Sequence, residues 1–223
     1  ATALLVFALY LVVSPLGSIK LGDDGERPEF SYIGWFTMLF SAGMGTGLVF
    51  WGVAEPMNHY VNPPFGDGGN PDALREAMRL SFFHWGLHPW AIYAVFGLSI
   101  AFYHFRHNLP LAPRSLLYPL IGQRIYGWSG HVVDILGTVG TLFGVATSLG
   151  FGAMQINAGI SSITDVDTGT DVQVMIITVI TAVATLSVVA GLHKGIQRLS
   201  LANMALAALM LVFVFVAGPT VCI

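Results

Sequence analysis

The chain has 223 residues, of which 55% are hydrophobic and only 9% charged, with a mean hydropathy of +0.73. A water-soluble domain carries about 25% charged residues, so these few cannot cover a solvated surface, which excludes disorder and disfavours a soluble enzyme. A net charge of −3 with nine Lys and Arg argues against a nucleic-acid partner, and a single cysteine, Cys222, excludes a disulfide framework or a Cys-rich metal site. What remains is an all-α integral membrane protein.

The sequence opens ATALLVFALYLVVSPLGSIKL, with neither Met nor a basic lead, and closes FVFVAGPTVCI without a polar tail. It is expected to be an internal piece of a longer protein. A spanning helix needs about 20 apolar residues. Six stretches qualify as one transmembrane domain, 1–17, 33–54, 77–103, 132–160, 172–192 and 201–223, the first as the remainder of a truncated span. The runs are too long and too uniformly apolar for strands. Between Leu111 and Gly130, "LYPL" and "RIYGW" predict a short interfacial helix with aromatic anchors.

The connecting loops alternate in charge. Loop 18–32 holds Lys20 and Arg27 among four acids, and loop 55–76 sets Glu55, Asp67, Asp72 and Glu76 against Arg75. Loop 104–131 has Arg106, Arg114 and Arg124 and no acid; loop 161–171 has Asp165, Asp167 and Asp171 and no base; loop 193–200 has Lys194 and Arg198. Basic loops stay in the cytoplasm, so the third and fifth face inward and the second and fourth outward.

The second span contains Ser41-Ala42-Gly43-Met44-Gly45-Thr46-Gly47-Leu48-Val49-Phe50-Trp51-Gly52. Alternate glycines each cost a helix about 1 kcal/mol. Gly43 and Gly47 fit a GxxxG packing face. The other reading is local unwinding, which frees backbone groups to meet a substrate or cation, and Gly45, which packing does not need, favours it. Glu55-Pro56 follows, with Glu55 expected to orient the next loop or to serve as a proton-linked carboxylate.

The third span reads Ser81-Phe82-Phe83-His84-Trp85-Gly86-Leu87-His88-Pro89-Trp90-Ala91-Ile92-Tyr93. At 100° per residue, Trp90 lies about 140° and Tyr93 about 80° from Trp85, which puts all three rings on one broad face. Pro89 has no N–H, so the Trp85 carbonyl loses its helical partner and a kink is expected there. Such a face suits a quaternary ammonium, which has no N–H to donate and is held by ring quadrupoles at about 2 kcal/mol or more when desolvated. Ordinary aromatic packing or an interfacial belt is the alternative. His84 and His88, at i and i+4, could share a metal or haem, but no third ligand is evident. In the fourth span, Gly137, Gly140, Gly144, Thr147 and Ser148 permit close helix contact, and Thr hydroxyls either ligate Na⁺ or bond their own backbone.

Taken together, SAGMGTGLVFWGVAEP at 41–56, FHWGLHPWAIY at 83–93, GTLFGVATSLGFGAMQ at 140–155 and KGIQRLSLANM at 194–204 resemble the betaine/choline/carnitine transporter (BCCT) family. The resemblance implies an inverted-repeat secondary transporter fold like that of amino-acid/sodium symporters, of which this piece holds the first repeat only. It implies a multi-pass protein of the plasma (inner) membrane, a homotrimer, and alternating access, with no enzyme activity and no cofactor beyond Na⁺. The family's aromatic box maps onto Trp85, Trp90 and Tyr93, and its unwound segment onto Gly43, Met44, Gly45 and Gly47. One sodium site maps onto the carbonyls of Ser41 and Met44. A second uses two Thr hydroxyls one turn apart; the first maps onto Thr141, but the other position is Val145, which offers no oxygen. Choline carriers of the family tend to place an Asp in the glycine segment, where this chain has Gly47.

The expectation is therefore a secondary active transporter of a small quaternary-ammonium zwitterion, glycine betaine before choline, importing it by ion-coupled symport for osmoprotection. The alternatives are an ion-independent precursor/product antiporter of the same family and a membrane metalloprotein built on His84 and His88.

Overall fold

The computed structural model describes residues 1–218, and of Thr46 and Lys194 the backbone alone. Cys222 and the end of the last expected span lie outside the described residues. The chain forms α1 (Thr2–Val13), α2 (Tyr32–Gly43), α3 (Thr46–Val61), α4 (Pro71–Trp85), α5 (Leu87–His107), α6 (Tyr118–Ile121), α7 (Trp128–Ile163), α8 (Thr170–Val189) and α9 (Gln197–Ala217). No strand occurs among the described residues.

Among the described residues four stretches are long and apolar enough to cross a membrane: Pro71–His107, Trp128–Ile163, Thr170–Val189 and Gln197–Ala217. The interrupted pair α2 and α3 makes a fifth if taken as one span. The first apolar stretch is helical over only 12 residues, because Pro15 and Gly17 end it in a 3₁₀ turn at Pro15–Ser18. That is shorter than the roughly 20 residues a crossing needs. The α4–α5 stretch outruns the expected 77–103 at both ends, whereas α8 stops at Val189, short of the expected 192. Asn70 accepts the amides of Asp72 and Ala73 and, with Pro71 in the first turn, starts α4 six residues before its apolar run. Asn108, at φ 54°, ends α5 in the left-handed conformation.

The chain falls into two compact units, Ala1–Arg27 with Trp51–Val145, and Pro28–Phe50 with Ala146–Ile223. In the first, α1 and α4 both pack on α5, and α5 packs on a 3₁₀ turn at Pro113–Leu117. The expected interfacial helix is a chain of three short turns, that one, α6 and Gly122–Tyr126. Pro113, Pro119 and Gly122 interrupt any longer helix there. Ser115 and Ile125 are fully buried beneath these turns, and the Ser115 hydroxyl donates to the Pro110 carbonyl at 2.6 Å. Asp134 of α7 holds the corner: it accepts the Arg114 backbone N–H at 2.9 Å and the Arg114 Nε–H at 2.5 Å.

In the second unit α2 packs on α9, and α8 is joined to α9 through a π-helical turn at Leu192–Ile196. Gly195 is required at that turn, because a Cβ would run into the Ser187 backbone carbonyl. Asn157 of α7 is fully buried and spans the acidic loop, accepting the Gly169 N–H at 3.0 Å and donating to the Asp167 carbonyl at 3.4 Å.

Large apolar side chains line the outside, among them Val12, Leu142, Phe143, Leu186, Val189 and Phe213. The buried set is instead dominated by small residues such as Ala73, Ala77, Ala91 and Ala153. That inversion of the soluble pattern places the molecule in lipid or among further helices.

Asp134→Ala should lower the stability of the detergent-solubilised full-length protein by about 1–3 kcal/mol, since it strands both the guanidinium and an amide. Asp134→Asn should lose less. Equal melting temperatures for all three proteins would show that this corner carries no such load.

Candidate functional site

The third apolar stretch is two helices, not one kinked at Pro89. α4 stops at Trp85, Gly86 is extended at φ −81° and ψ −151°, and α5 starts at Leu87. Proline is the cause, acting one turn upstream of itself. Its ring collides with the carbonyl four residues back, which is that of Trp85, so the chain opens immediately after that residue. Pro89 then sits in the first turn of α5, where an N–H has no intrahelical acceptor to lose. Gly86 is needed at the opening, because a Cβ would meet the Phe82 carbonyl oxygen.

The Trp85 carbonyl that Pro89 cannot serve is served by a side chain. The indole Nε1–H of Trp90 donates to it at 2.9 Å. The Trp90 and Tyr93 rings lie with centroids 6.0 Å apart and planes at 51°, both exposed on α5. Trp85 is half-buried, and its own indole N–H donates to Glu55 Oε2 at 2.7 Å. Both indole donors are thus used within the protein, and what the rings leave to a ligand is their faces. Because Gly86 separates Trp85 from α5, helical periodicity does not set the angle between Trp85 and the other two rings.

Glu55 is the residue the sequence reading undervalued. It is only 8% exposed, and rather than orienting the following loop it ties α3 to α4. His84 Nδ1 lies 2.8 Å from its Oε1 and 2.9 Å from its Oε2, and His59 Nε2 lies 3.6 Å from Oε1. An ionised carboxylate only accepts, so His84 carries its proton on Nδ1 when it faces one. His88 stands instead against Phe83, with centroids 4.8 Å apart. The break at Gly86 removes the regular i, i+4 relation between His84 and His88. Among the described residues no group of three or more His, Cys, Asp or Glu side chains is arranged to hold a metal. The signal for Glu55 was a carboxylate before a proline at the very end of an apolar run, but its hydrogen-bond partners are 29 and 30 residues away in sequence.

The glycine segment belongs to the second unit and is interrupted as the unwinding reading expects. α2 ends at Gly43, Met44 takes φ −92° and ψ 70°, and α3 resumes at Thr46. The Met44 N–H reaches back to the Phe40 carbonyl at 2.8 Å, and the Leu48 N–H to the Gly45 carbonyl at 3.1 Å. The remaining carbonyls at the end of α2 and first amides of α3 have no intrahelical partners. A Cβ at Gly45 or Gly47 would meet nothing within 4 Å. Within the described residues Gly47 is therefore not a close-packing glycine.

Ser41, mapped by its carbonyl to an ion site, uses its side chain for packing. Its hydroxyl donates to the Ser200 carbonyl of α9 at 3.3 Å and accepts from Asn203 Nδ2 at 3.1 Å. Thr141 donates its hydroxyl to the Gly137 carbonyl of its own helix at 2.9 Å, and Val145 one turn on is exposed.

The BCCT model, described as betaine/carnitine/choline family transporter, matches residues 1–223. A protein of Acinetobacter baylyi named as a glycine betaine transporter is 49% identical over 212 residues, 95% of this chain. A Vibrio parahaemolyticus protein named as a glycine betaine/proline/choline transporter is 47% identical over 235 residues, 98% of this chain. An uncharacterized transporter of Mycobacterium tuberculosis is 52% identical over 224 residues, 99% of this chain. The chain spans 32%, 42% and 38% of the length of these three relatives respectively.

The α2–α9 clasp predicts coupling between its members. Ser41→Ala and Asn203→Ala should each cost about 0.5–1.5 kcal/mol of stability, and the double variant less than their sum. Strictly additive losses would show that the two side chains act apart.

Proposed function

The chain belongs to the betaine/carnitine/choline family of transporters, and from that premise we propose that the full-length protein is a secondary active carrier of a small quaternary-ammonium zwitterion, glycine betaine above all. The trimethylammonium docks against the faces of Trp85, Trp90 and Tyr93. The observation that carries this reading is the fate of the indole donors. Trp90 spends its N–H on the Trp85 carbonyl and Trp85 spends its own on Glu55. A ligand that needed an indole hydrogen bond would find none, whereas a methylated nitrogen needs only the ring quadrupole.

The glycine break supports the zwitterion. No acid lies between Ile33 and Ala54, and the oxygens of the next carboxylate, Glu55, are engaged by His84 and by the indole N–H of Trp85, so a net cation such as choline would be desolvated without a carboxylate free to pair with it directly. A betaine brings its own carboxylate and so needs no counter-charge from the protein. The relative named for glycine betaine, proline and choline shows that one such protein has a broader name, and the preference is put to test below. The break also offers the backbone pivot that alternating access requires.

Na⁺ is the proposed coupling ion, transported as cargo, with the carbonyls of Ser41 and Met44 as its ligands from this part of the protein. Binding of ion and substrate to one conformation couples them by mass action. Exchange without ion coupling is the second reading, favoured by Val145, which offers no oxygen at one of the two second-site positions, whereas the Thr141 hydroxyl donates its proton to Gly137 and keeps its lone pairs. The setting proposed is the plasma membrane, with a homotrimer as the assembly and import for osmotic adjustment as the physiological direction.

The deciding experiment is uptake of radiolabelled glycine betaine by the full-length protein in proteoliposomes, with Na⁺ and H⁺ gradients imposed separately. Uptake driven by inward Na⁺ supports symport; counterflow from preloaded vesicles with no ion gradient supports exchange; neither would sink the carrier reading. Trp85→Ala and Trp90→Ala should each weaken glycine betaine binding by at least about 1 kcal/mol. If both variants bind as tightly as the parent, the cage is misassigned. Gly47→Asp has room for its side chain and should shift preference toward choline, an outcome read from competition between the two labelled compounds; an unaltered ratio would discredit the counter-charge argument.

A further inference from the structure

We propose that Glu55 is a positioning residue for the Trp85 ring, fixing which face that indole turns to the substrate. The inference rests on the reading of Trp85 as a cage ring. An indole on the last residue of a helix, beside a glycine that opens the backbone, has little else to hold its rotamer. Its single polar atom is the Nε1–H, and that atom is tied to Glu55 Oε2 at 2.7 Å. The carboxylate is itself immobilised. It is buried on α3, and its oxygens lie 2.8 Å and 2.9 Å from His84 Nδ1, with His59 Nε2 3.6 Å from Oε1. His84 precedes Trp85, and their ring centroids are 4.8 Å apart, so one carboxylate grips two adjacent rings of α4.

A hydrogen bond to an ionised, buried acceptor is shorter and stronger than one between neutral groups. It also has a direction, which a face-to-face packing contact lacks. Trp90 is anchored separately, its indole N–H donating to the Trp85 backbone carbonyl at 2.9 Å. Among the cage rings Glu55 therefore acts on Trp85 alone, and it does so without touching the substrate.

The test uses the full-length protein in lipid nanodiscs and proteoliposomes, with glycine betaine as the probe. Glu55→Ala should raise the half-saturation concentration for glycine betaine at least about fivefold, while the maximal rate per folded carrier changes much less. Glu55→Gln keeps a carbonyl oxygen for the indole and should recover most of that loss. Trp85→Phe keeps a ring but no donor, so adding Glu55→Ala to it should cost little more. The Trp85 indole ¹⁵N–H resonance, identified by its loss in Trp85→Phe, should shift in Glu55→Ala and stay near its place in Glu55→Gln. The proposal is overturned if Glu55→Ala leaves the half-saturation concentration unchanged while Trp85→Ala raises it, or if the losses from Glu55→Ala and Trp85→Phe simply add. If Trp85→Ala itself binds normally while the indole resonance still answers to Glu55, the bond is real but the cage reading fails, and positioning for substrate fails with it.

Discussion

In hydrocarbon a backbone N–H or C=O has no water to turn to, and each must find its partner within the protein. Nearly everything in this chain follows from that demand. It selects helices, in which the backbone satisfies itself, and it makes every interruption a place where some other group has to act. Four hydroxyls in the long helices meet the same demand by bonding carbonyls of their own turn: Ser99 to Val95, Thr141 to Gly137, Thr178 to Val174 and Thr185 to Thr181. At the break in α4–α5 the repair falls to an indole. At the glycine break the end of α2 and the start of α3 leave backbone groups without intrahelical partners.

The same demand explains why the acid on α3 is valuable. A buried carboxylate is costly unless several donors surround it. Here the donors are two consecutive residues of α4, with His59 of α3 near by at 3.6 Å, so its satisfaction and the alignment of the two helices are one event. The Ser41, Ser200 and Asn203 group does comparable work in the second unit, with neutral partners.

Much of the helical plan was legible in the sequence, because runs of apolar residues about 20 long carry their own signal. The glycine interruption was legible too, since Gly45 has no use in a packing face. The position of the second interruption was harder. The motif names Pro89, but the strain it creates lies at residue 85, and the yielding residue is Gly86. Contacts between helices were not legible at all: nothing in the neighbourhood of Glu55 announces His84 or Trp85, and nothing near Ser41 announces Asn203, 162 residues away. A short polar residue in an apolar run says that a partner exists without saying which. The first helix shows the opposite error, where composition runs on past Pro15 although the backbone cannot.

The bond from the Trp90 indole to the Trp85 carbonyl bridges the two sides of the break at Gly86. It acts as a strut: one end is fixed to the helix before Gly86, the other to a ring on the helix after it. Any flexing at that glycine alters the span the strut must cover, so the ring has to tilt or let go. Backbone angle and aromatic geometry are in this way a single mechanical variable.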